Sequence, residues 1–196
     1  MSVGVLALQG DFREHLKALG ECGVTGKLVK TSEDISQIDA LIIPGGESTT
    51  ISKLAKAFDL FDLISKRIAD GMPTYGSCAG MILVANSILE PASEQDTFGG
   101  IDMQVRRNAF GRQTESFEVD LDFKGISGAA FRGVFIRAPW VESFGKGVEV
   151  LSTLEVGGVD HPVAVRSGRV LATSFHPELT GDNRVHRYFL EDVCKN

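Results

Sequence analysis

Paired cysteines, clustered basic residues and long apolar runs are all scarce in this sequence. The three cysteines, Cys22, Cys78 and Cys194, form no C-x-x-C pair, which argues against a zinc knuckle or a dithiol redox motif and favours a reducing compartment. No apolar stretch approaches the ~20 residues that span a bilayer, and residues 1–8 contain no basic segment of the kind that begins a signal peptide. We therefore expect a cytoplasmic protein with no membrane segment.

The charge balance is acidic, with 26 Asp and Glu against 20 Lys and Arg and a formal net charge of -6. Phosphate binding needs a face on which basic residues cluster. The basic residues here form few local clusters, so we expect no nucleic-acid partner. The composition is ordinary for a globular chain, with 43% hydrophobic residues. A chain of 196 residues can bury roughly 70% of its unfolded surface. We therefore expect one domain over residues 1–196, which needs no disulfide or structural metal to fold.

Short apolar runs alternate with amphipathic stretches through the first half of the chain. Residues 3–8, 39–44 and 74–76 are predicted strands. A helix is expected after each of them: the first is capped by Asp11, the second begins at 48, and the third covers 79–87. This rhythm indicates an α/β protein with a parallel sheet and helices on both faces, whose functional loops gather at the carboxyl ends of the strands. After residue 100 the predicted strands are shorter, and residues 183–194 are expected to form a closing helix.

The segment Gly76-Ser77-Cys78-Ala79-Gly80 lies where a buried strand is predicted to turn sharply into a helix. Small residues on both sides of Cys78 permit a tight turn that projects the thiol above the sheet edge, beside helix N-terminal amides that activate a thiol and bind an oxyanion. This pattern favours a nucleophilic cysteine. A small buried hydrophobe among glycines needed for packing is the alternative.

A second candidate group follows the strand predicted at 170–175, in the segment His176-Pro177-Glu178. In an extended backbone, residues two apart face the same side, so Glu178 could orient the imidazole of His176, and Pro177 is expected to keep the segment extended. In a cysteine hydrolase the imidazole takes the thiol proton and later protonates the leaving amine. A hydrogen-bonded histidine at a strand end and an acid at a helix start are the structural alternatives.

The third candidate is the glycine turn at Gly45-Gly46, between a predicted strand and a predicted helix. Paired glycines let backbone amides approach a reacting carbonyl, which favours a role in an oxyanion hole. Glycine turns at helix starts also bind phosphate, but neither a P-loop nor a dinucleotide-binding pattern is present. A plain helix start capped by Ser48 is the remaining interpretation.

These three segments, in this order, resemble the class I (triad) glutamine amidotransferases. The segments that flank them resemble one branch of that family, the glutaminase subunits of pyridoxal 5'-phosphate synthases, and the resemblance runs from residue 3 to about 193. The matching segments are LQG at 8–10, REH at 13–15, GGESTT at 45–50, RNAFGRQ at 107–113, FIRAP at 135–139 and SFHPEL at 174–179. The resemblance implies a three-layer α/β/α, flavodoxin-like fold with a mainly parallel central sheet.

The resemblance also implies roles for individual residues. Cys78 would attack the side-chain amide of L-glutamine, His176 would act as acid and base, and Glu178 would orient it. The remaining implied contacts are an oxyanion hole of backbone amides at Gly46 and Ala79, and glutamine binding by Gly46, Glu47, Ser48, Arg107, Ile136 and Arg137. No metal or cofactor is implied.

The same resemblance implies a partner. The glutaminases of this family dock on a barrel-shaped synthase subunit, which activates them and combines their ammonia with ribose 5-phosphate and glyceraldehyde 3-phosphate. Two other hypotheses stay open from the residues alone: a stand-alone cysteine hydrolase, and an idle regulatory or scaffolding subunit. The histidines outside the motifs receive weaker expectations, with His15 on a partner-facing first helix and His186 on a helix surface.

Overall fold

The computed structural model describes residues 1–91, 95–110 and 116–195. The strands of its central sheet are β1 (Val3–Leu6), β2 (Lys27–Val29), β3 (Ala40–Ile43), β4 (Thr74–Ser77), β10 (Glu149–Val156), β11 (Val159–Ser167) and β12 (Val170–Thr173). These seven strands lie in the order β10-β11-β12-β4-β3-β1-β2, in which β12, β4, β3, β1 and β2 are parallel while β11 runs antiparallel to both of its neighbours. The predicted mainly parallel α/β architecture is confirmed.

Helices cover both faces of the sheet, because successive strand residues point to opposite sides. The helices are α1 (Phe12–Glu21), α2 (Ser32–Ser36), α3 (Ser48–Ala57), α4 (Phe61–Ala69), α5 (Ala79–Val84) and α6 (Arg184–Tyr188), with a 3-10 turn at Pro177–Leu179 and a π-helical turn at Phe189–Val193. In β3, Leu41 and Ile43 pack with α3, α4 and α5, whereas Ala40 and Ile42 pack with α1 and α6.

Two small sheets lie beside the central one. The first contains β5 (Ala85–Leu89), β6 (Ile101–Arg106) and β9 (Trp140–Phe144), and the second pairs β7 (Ser116–Leu121) with β8 (Phe131–Ile136). The predicted helix over 79–87 is therefore wrong at its end: α5 stops at Val84, and Ala85 enters an extended strand that pairs with Ile101. Tertiary pairing outweighs local helix propensity at this point.

The parallel strands β1, β3, β4 and β12 end at the same edge of the sheet, as strands of one direction must. Four of the segments that the sequence singled out follow directly, at Gln9, Gly45, Cys78 and His176. Among the helices of the described residues, none is long and apolar enough to cross a membrane.

Candidate active site

Cys78 sits on a strained turn between β4 and α5. Its backbone has φ 48° and ψ -99°, a region that residues with a side chain rarely adopt, and its amide donates to Thr173 O at 2.8 Å. The flanking glycines are sterically required, because a Cβ at Gly76 would lie 2.4 Å from Gly80 O and a Cβ at Gly80 would lie 2.2 Å from Ile43 O. The chain thus turns as the sequence pattern predicts, with the thiol at the start of a helix.

His176 and Glu178 meet through a short 3-10 turn rather than an extended segment. Pro177 opens this turn, so the expectation that it keeps the chain extended is wrong; its fixed φ suits the first position of a helical turn equally well. The turn brings Nδ1 of His176 to 2.8 Å from Glu178 Oε1. The Glu178 side chain is fully buried behind the imidazole, and Ser77 Oγ donates to it at 3.2 Å.

The electrostatics of the pair favour a protonated imidazole beside an ionised carboxylate. Burial lowers the pKa of His176, but the hydrogen bonds that its ring donates to the Cys78 sulfur and to Glu178 outweigh burial and raise that pKa to about 11. Burial raises the pKa of Glu178, but the neighbouring His15 and the hydrogen bond from His176 lower it overall to about 2. The arrangement is that of an imidazolium which can stabilise a thiolate, the reactive form of cysteine.

The glycine turn between β3 and α3 faces the same imidazole. A Cβ at Gly45 would lie 2.3 Å from Cε1 of His176, and Gly46 has φ 149° with Gln9 Oε1 beside it. The Gly45 carbonyl accepts from the Asp11 amide at 3.1 Å. Because carbonyl and amide of a trans peptide point in opposite directions, the N–H of Gly46 is turned away from α1.

One cavity of about 520 Å³ gathers most of these groups. Three of the five non-glycine residues with positive φ in the described parts of the chain, Cys78, Asn108 and Arg137, line it, which is where backbone strain is expected to concentrate. Of the ten residues to which the resemblance assigns a catalytic, oxyanion-hole or glutamine-binding role, all but Glu178 line the cavity. The lining residues are Gln9, Asp11, Gly46, Glu47, Ser48, Cys78, Ala79, Ile82, Arg107, Asn108, Ile136, Arg137 and His176.

Glu47 caps α3, whereas the sequence suggested Ser48 as the cap. The Glu47 carboxylate accepts from the amides of Thr49 at 3.1 Å and Thr50 at 2.7 Å. Burial raises the pKa of Glu47, but the hydrogen bonds from Thr50 and Thr49 lower it overall. The same carboxylate lies 3.3 Å from Nη2 of Arg107, so an acidic and a basic group stand side by side in the cavity wall.

Gln95 is a functional candidate that the sequence did not reveal. It is 8% exposed; its Nε2 donates to Ser48 Oγ at 2.8 Å, and its Oε1 accepts from Arg107 Nη1 at 2.7 Å and from Thr49 Oγ1 at 3.2 Å. Gln95 therefore links both sides of the cavity. A lone glutamine in a loop carries no motif, so no sequence signal could have found it.

Two more polar residues line the cavity from the β1–α1 loop. Gln9 Oε1 accepts from the Glu47 amide at 2.7 Å, which places Gln9 against the glycine turn. Asp11 does not cap α1 with its side chain, contrary to expectation; its Oδ2 lies 3.6 Å from Nδ1 of His176. Burial raises the pKa of Asp11, although the charge of His176 opposes this.

Within the described residues, one group of potential metal ligands stands out: Asp11, His176 and Glu178, whose ligand atoms lie within 4.8 Å of one another. Nδ1 of His176 already donates to Glu178 at 2.8 Å, so a metal there would have to displace this hydrogen bond. We assign no metal to the group. Residues 111–113 of the RNAFGRQ segment lie outside the described residues.

Comparison with known proteins gives a consistent set of similarities. Residues 5–195 match a family described as the SNO glutamine amidotransferase family. The chain is 58% identical to pyridoxal 5'-phosphate synthase subunit PdxT of Streptomyces coelicolor and 59% identical to that of Streptomyces avermitilis, in each case over 99% of this chain and 94% of the relative. A crystal structure of a glutamine amidotransferase superposes with a TM-score of 0.88 at 52% identity, covering 97% of this chain and 98% of that one.

Proposed function

The chain belongs to the SNO glutamine amidotransferase family, and on this premise we propose that its cavity hydrolyses the side-chain amide of L-glutamine through Cys78, His176 and Glu178. The observation that carries the proposal is the cavity in which a strained, helix-start cysteine faces an imidazole held at 2.8 Å by a buried carboxylate. The family match, over residues 5–195, supports a single glutamine amidotransferase domain.

The proposed reaction passes through a thioester. The proton of Cys78 lies on His176 in the thiolate–imidazolium pair, and the thiolate sulfur attacks the amide carbon of glutamine. The negative charge that develops on the amide oxygen is stabilised by the N–H groups of Gly46 and Ala79; the latter opens α5, where amides lack partners within the helix. His176 then protonates the departing nitrogen, which leaves as ammonia. Water, deprotonated by His176, cleaves the thioester to glutamate and restores the thiolate–imidazolium pair.

The polar wall of the cavity suits the amino-acid end of glutamine. Arg107 can pair with the α-carboxylate, and the ionised Glu47 beside it can pair with the α-ammonium group. Ser48 and the Ile136–Arg137 segment complete this end of the proposed site. The Glu47–Arg107 ion pair would then be replaced by two ion pairs to one zwitterionic substrate, which favours an α-amino acid over a simple amide.

We further propose that the ammonia is passed to a pyridoxal 5'-phosphate synthase subunit, of barrel shape, which joins it to ribose 5-phosphate and glyceraldehyde 3-phosphate. Ammonia is mostly protonated in neutral water and is then not nucleophilic, so transfer through an enclosed path preserves its reactivity. The identity of 58–59% with two PdxT subunits over nearly the whole chain supports this partner.

Partner dependence tests this proposal. Glutamate release from glutamine by the purified chain is expected to be slow alone and to rise at least about tenfold when the synthase subunit is added, since docking completes the site. Equal turnover in both conditions would favour a stand-alone cysteine hydrolase. If neither condition releases glutamate, a binding subunit without activity becomes the better account.

Gln95→Ala is expected to raise the KM for glutamine about tenfold while kcat changes little, because loss of a hydrogen bond to a charged group corresponds to roughly 1.4 kcal/mol. Arg107 and Ser48 would lose their common partner, but Cys78 and His176 would keep theirs. Steady-state kinetics in the presence of the synthase subunit measures both constants.

Gln104→Ala is the matched control, because Gln104 lies on β6 outside the cavity. A fall in kcat with unchanged KM in Gln95→Ala would contradict the assigned binding role.

A further inference from the structure

Two histidines are buried behind the active-site cavity without lining it. His15 lies on α1 and His186 on α6, and both are 0% exposed. The expectation of a surface position for His186 is therefore wrong. Nδ1 of His15 and Nε2 of His186 are 3.0 Å apart, which makes them a hydrogen-bonded pair. The reaction described above uses neither ring. Burying two polar rings costs free energy, so their presence in the core calls for an explanation.

The pair points at the carboxylate of the triad. The second ring nitrogen of His15, Nε2, lies 3.5 Å from Glu178 Oε1, the same oxygen that accepts from His176. Within the described residues, Nε2 of His15 and Nδ1 of His186 have no hydrogen bond of ordinary geometry. The ring of Tyr75 stands edge-on to both imidazoles at 6.0 Å, so its aromatic surface borders the pair. The Glu178 carboxylate is thus the acceptor that Nε2 of His15 faces.

Burial favours the neutral form of both rings. It lowers the pKa of His15, against the attraction of Glu178, and lowers the pKa of His186 to about 3, with the neighbouring His15 acting in the same direction. A neutral imidazole carries one N–H and one lone pair. If the lone pair of His15 were on Nε2, it would face an ionised carboxylate. The N–H of His15 therefore belongs on Nε2.

The tautomer of His186 follows from that of His15. With its proton on Nε2, His15 has a lone pair at Nδ1, which can only accept, so His186 must donate from its own Nε2. The atom left without a partner is then Nδ1 of His186, an unpaired acceptor in an aromatic environment. If the proton of His15 were on Nδ1, the lone pair at its Nε2 would face Glu178. If the proton of His186 were on its Nδ1, the lone pairs of the two histidines would face each other.

We propose that His15 and His186 are positioning residues of the glutaminase reaction, a pair with fixed tautomers that directs the Nε2–H of His15 at Glu178 and holds this carboxylate against Nδ1 of His176. The inference rests on the proposed function insofar as Glu178 serves the triad. With Ser77 Oγ on β4, donors from α1, β4 and His176 itself converge on one buried carboxylate. Because the effective dielectric constant of the interior is low, the N–H of His15 attracts the Glu178 carboxylate even at 3.5 Å and helps to orient it.

Imidazole nitrogen NMR tests the tautomers on the unmodified full-length chain, without glutamine or partner. The chain has four histidines, and the Gln variants at 15 and 186 assign their signals. Both His15 and His186 are expected to be neutral with the proton on Nε2 at pH 7. An imidazolium at either position, or a proton on Nδ1 of His15, would overturn the proposal. This result does not depend on glutaminase activity, so failure of the proposed function is distinguished from failure of the inference.

Kinetics of the complex with the synthase subunit tests the positioning role. His186→Phe removes the donor that fixes His15, and kcat is expected to fall about tenfold with unchanged KM, the lower end of effects seen for groups that orient a functional side chain. His186→Gln keeps an N–H near the position of Nε2 and is expected to retain at least about half of the wild-type kcat.

His161→Phe is the control, because His161 stacks on Trp140 away from the triad. Wild-type kcat in a folded His186→Phe, or a loss that is equal in the Phe and Gln variants, would refute the positioning role. If the Phe variant does not fold, His15→Gln, which keeps a donor toward Glu178, must retain kcat within about threefold; a larger loss in that folded variant would likewise refute it.

Discussion

Cys78→Ala is expected to abolish glutamate release, with a fall of at least about a thousandfold in the rate with the synthase subunit. Without the sulfur no thioester can form, and the oxyanion amides and binding groups that remain cannot supply a nucleophile. Alanine keeps the Cβ that the strained backbone at φ 48° already accommodates, so the fold and the docking surface are expected to persist.

Three measurements make this experiment decisive. Glutamate release is compared between wild type and variant, complex formation is measured by sedimentation, and iodoacetamide labelling located by mass spectrometry identifies the reactive thiol. Cys22→Ala serves as the control, because Cys22 lies at the end of α1, outside the cavity, and its thiol donates to Asn183 O at 3.9 Å. A Cys78→Ala variant that keeps more than about a tenth of the wild-type rate would rule out the thioester mechanism.

Glu178→Gln is expected to lower kcat by about a hundred- to ten-thousandfold with little change in KM. A neutral amide cannot stabilise the imidazolium of His176, so the pKa of His176 should fall from about 11. The glutamine carbonyl at the Oε1 position would still accept from Nδ1 of His176, but the NH2 at the Oε2 position would turn the Ser77 hydroxyl from a donor into an acceptor.

The same substitution has a stability signature with a definite sign. The folded-state pKa of Glu178 is depressed to about 2, so its ionisation stabilises the fold above the unfolded-state pKa and this contribution is lost as pH falls toward 2. Urea unfolding should therefore show a difference in free energy of unfolding between wild type and Glu178→Gln that is larger at pH 7 than at pH 3. A difference independent of pH would mean that Glu178 is not ionised in the folded protein.

Three errors of the sequence interpretation share a cause. The helix expected to reach residue 87 ends at Val84, because Ala85 pairs with β6, and Asp11 turns its carboxylate toward His176 instead of capping α1. Glu47 rather than Ser48 caps α3. In each case the residue was given a local role but makes its contact with a distant segment: Ala85 with β6, Asp11 with His176, and Ser48 with Gln95. Local propensity is a weak guide wherever such contacts compete.

The sequence by itself determined the parts of this protein that local chemistry controls. Gly76 and Gly80 around Cys78 specify a tight strand-to-helix turn. His176 and Glu178 are separated by one residue, so the carboxylate lies close enough along the chain to pair with the imidazole. The order of strands and helices then places the ends of β1, β3, β4 and β12 at one edge of the sheet. These features need no knowledge of long-range packing.

Only the tertiary structure decided which residues support that chemistry from a distance. Gln95 acquires its role by meeting Ser48 and Arg107 across the cavity, and His15 meets His186 over a separation of 171 residues. A lone glutamine or histidine carries no pattern, because its hydrogen-bonding partners are brought by the packing of other elements. Burial in the folded chain then sets the protonation of the two histidines, which no local sequence pattern encodes.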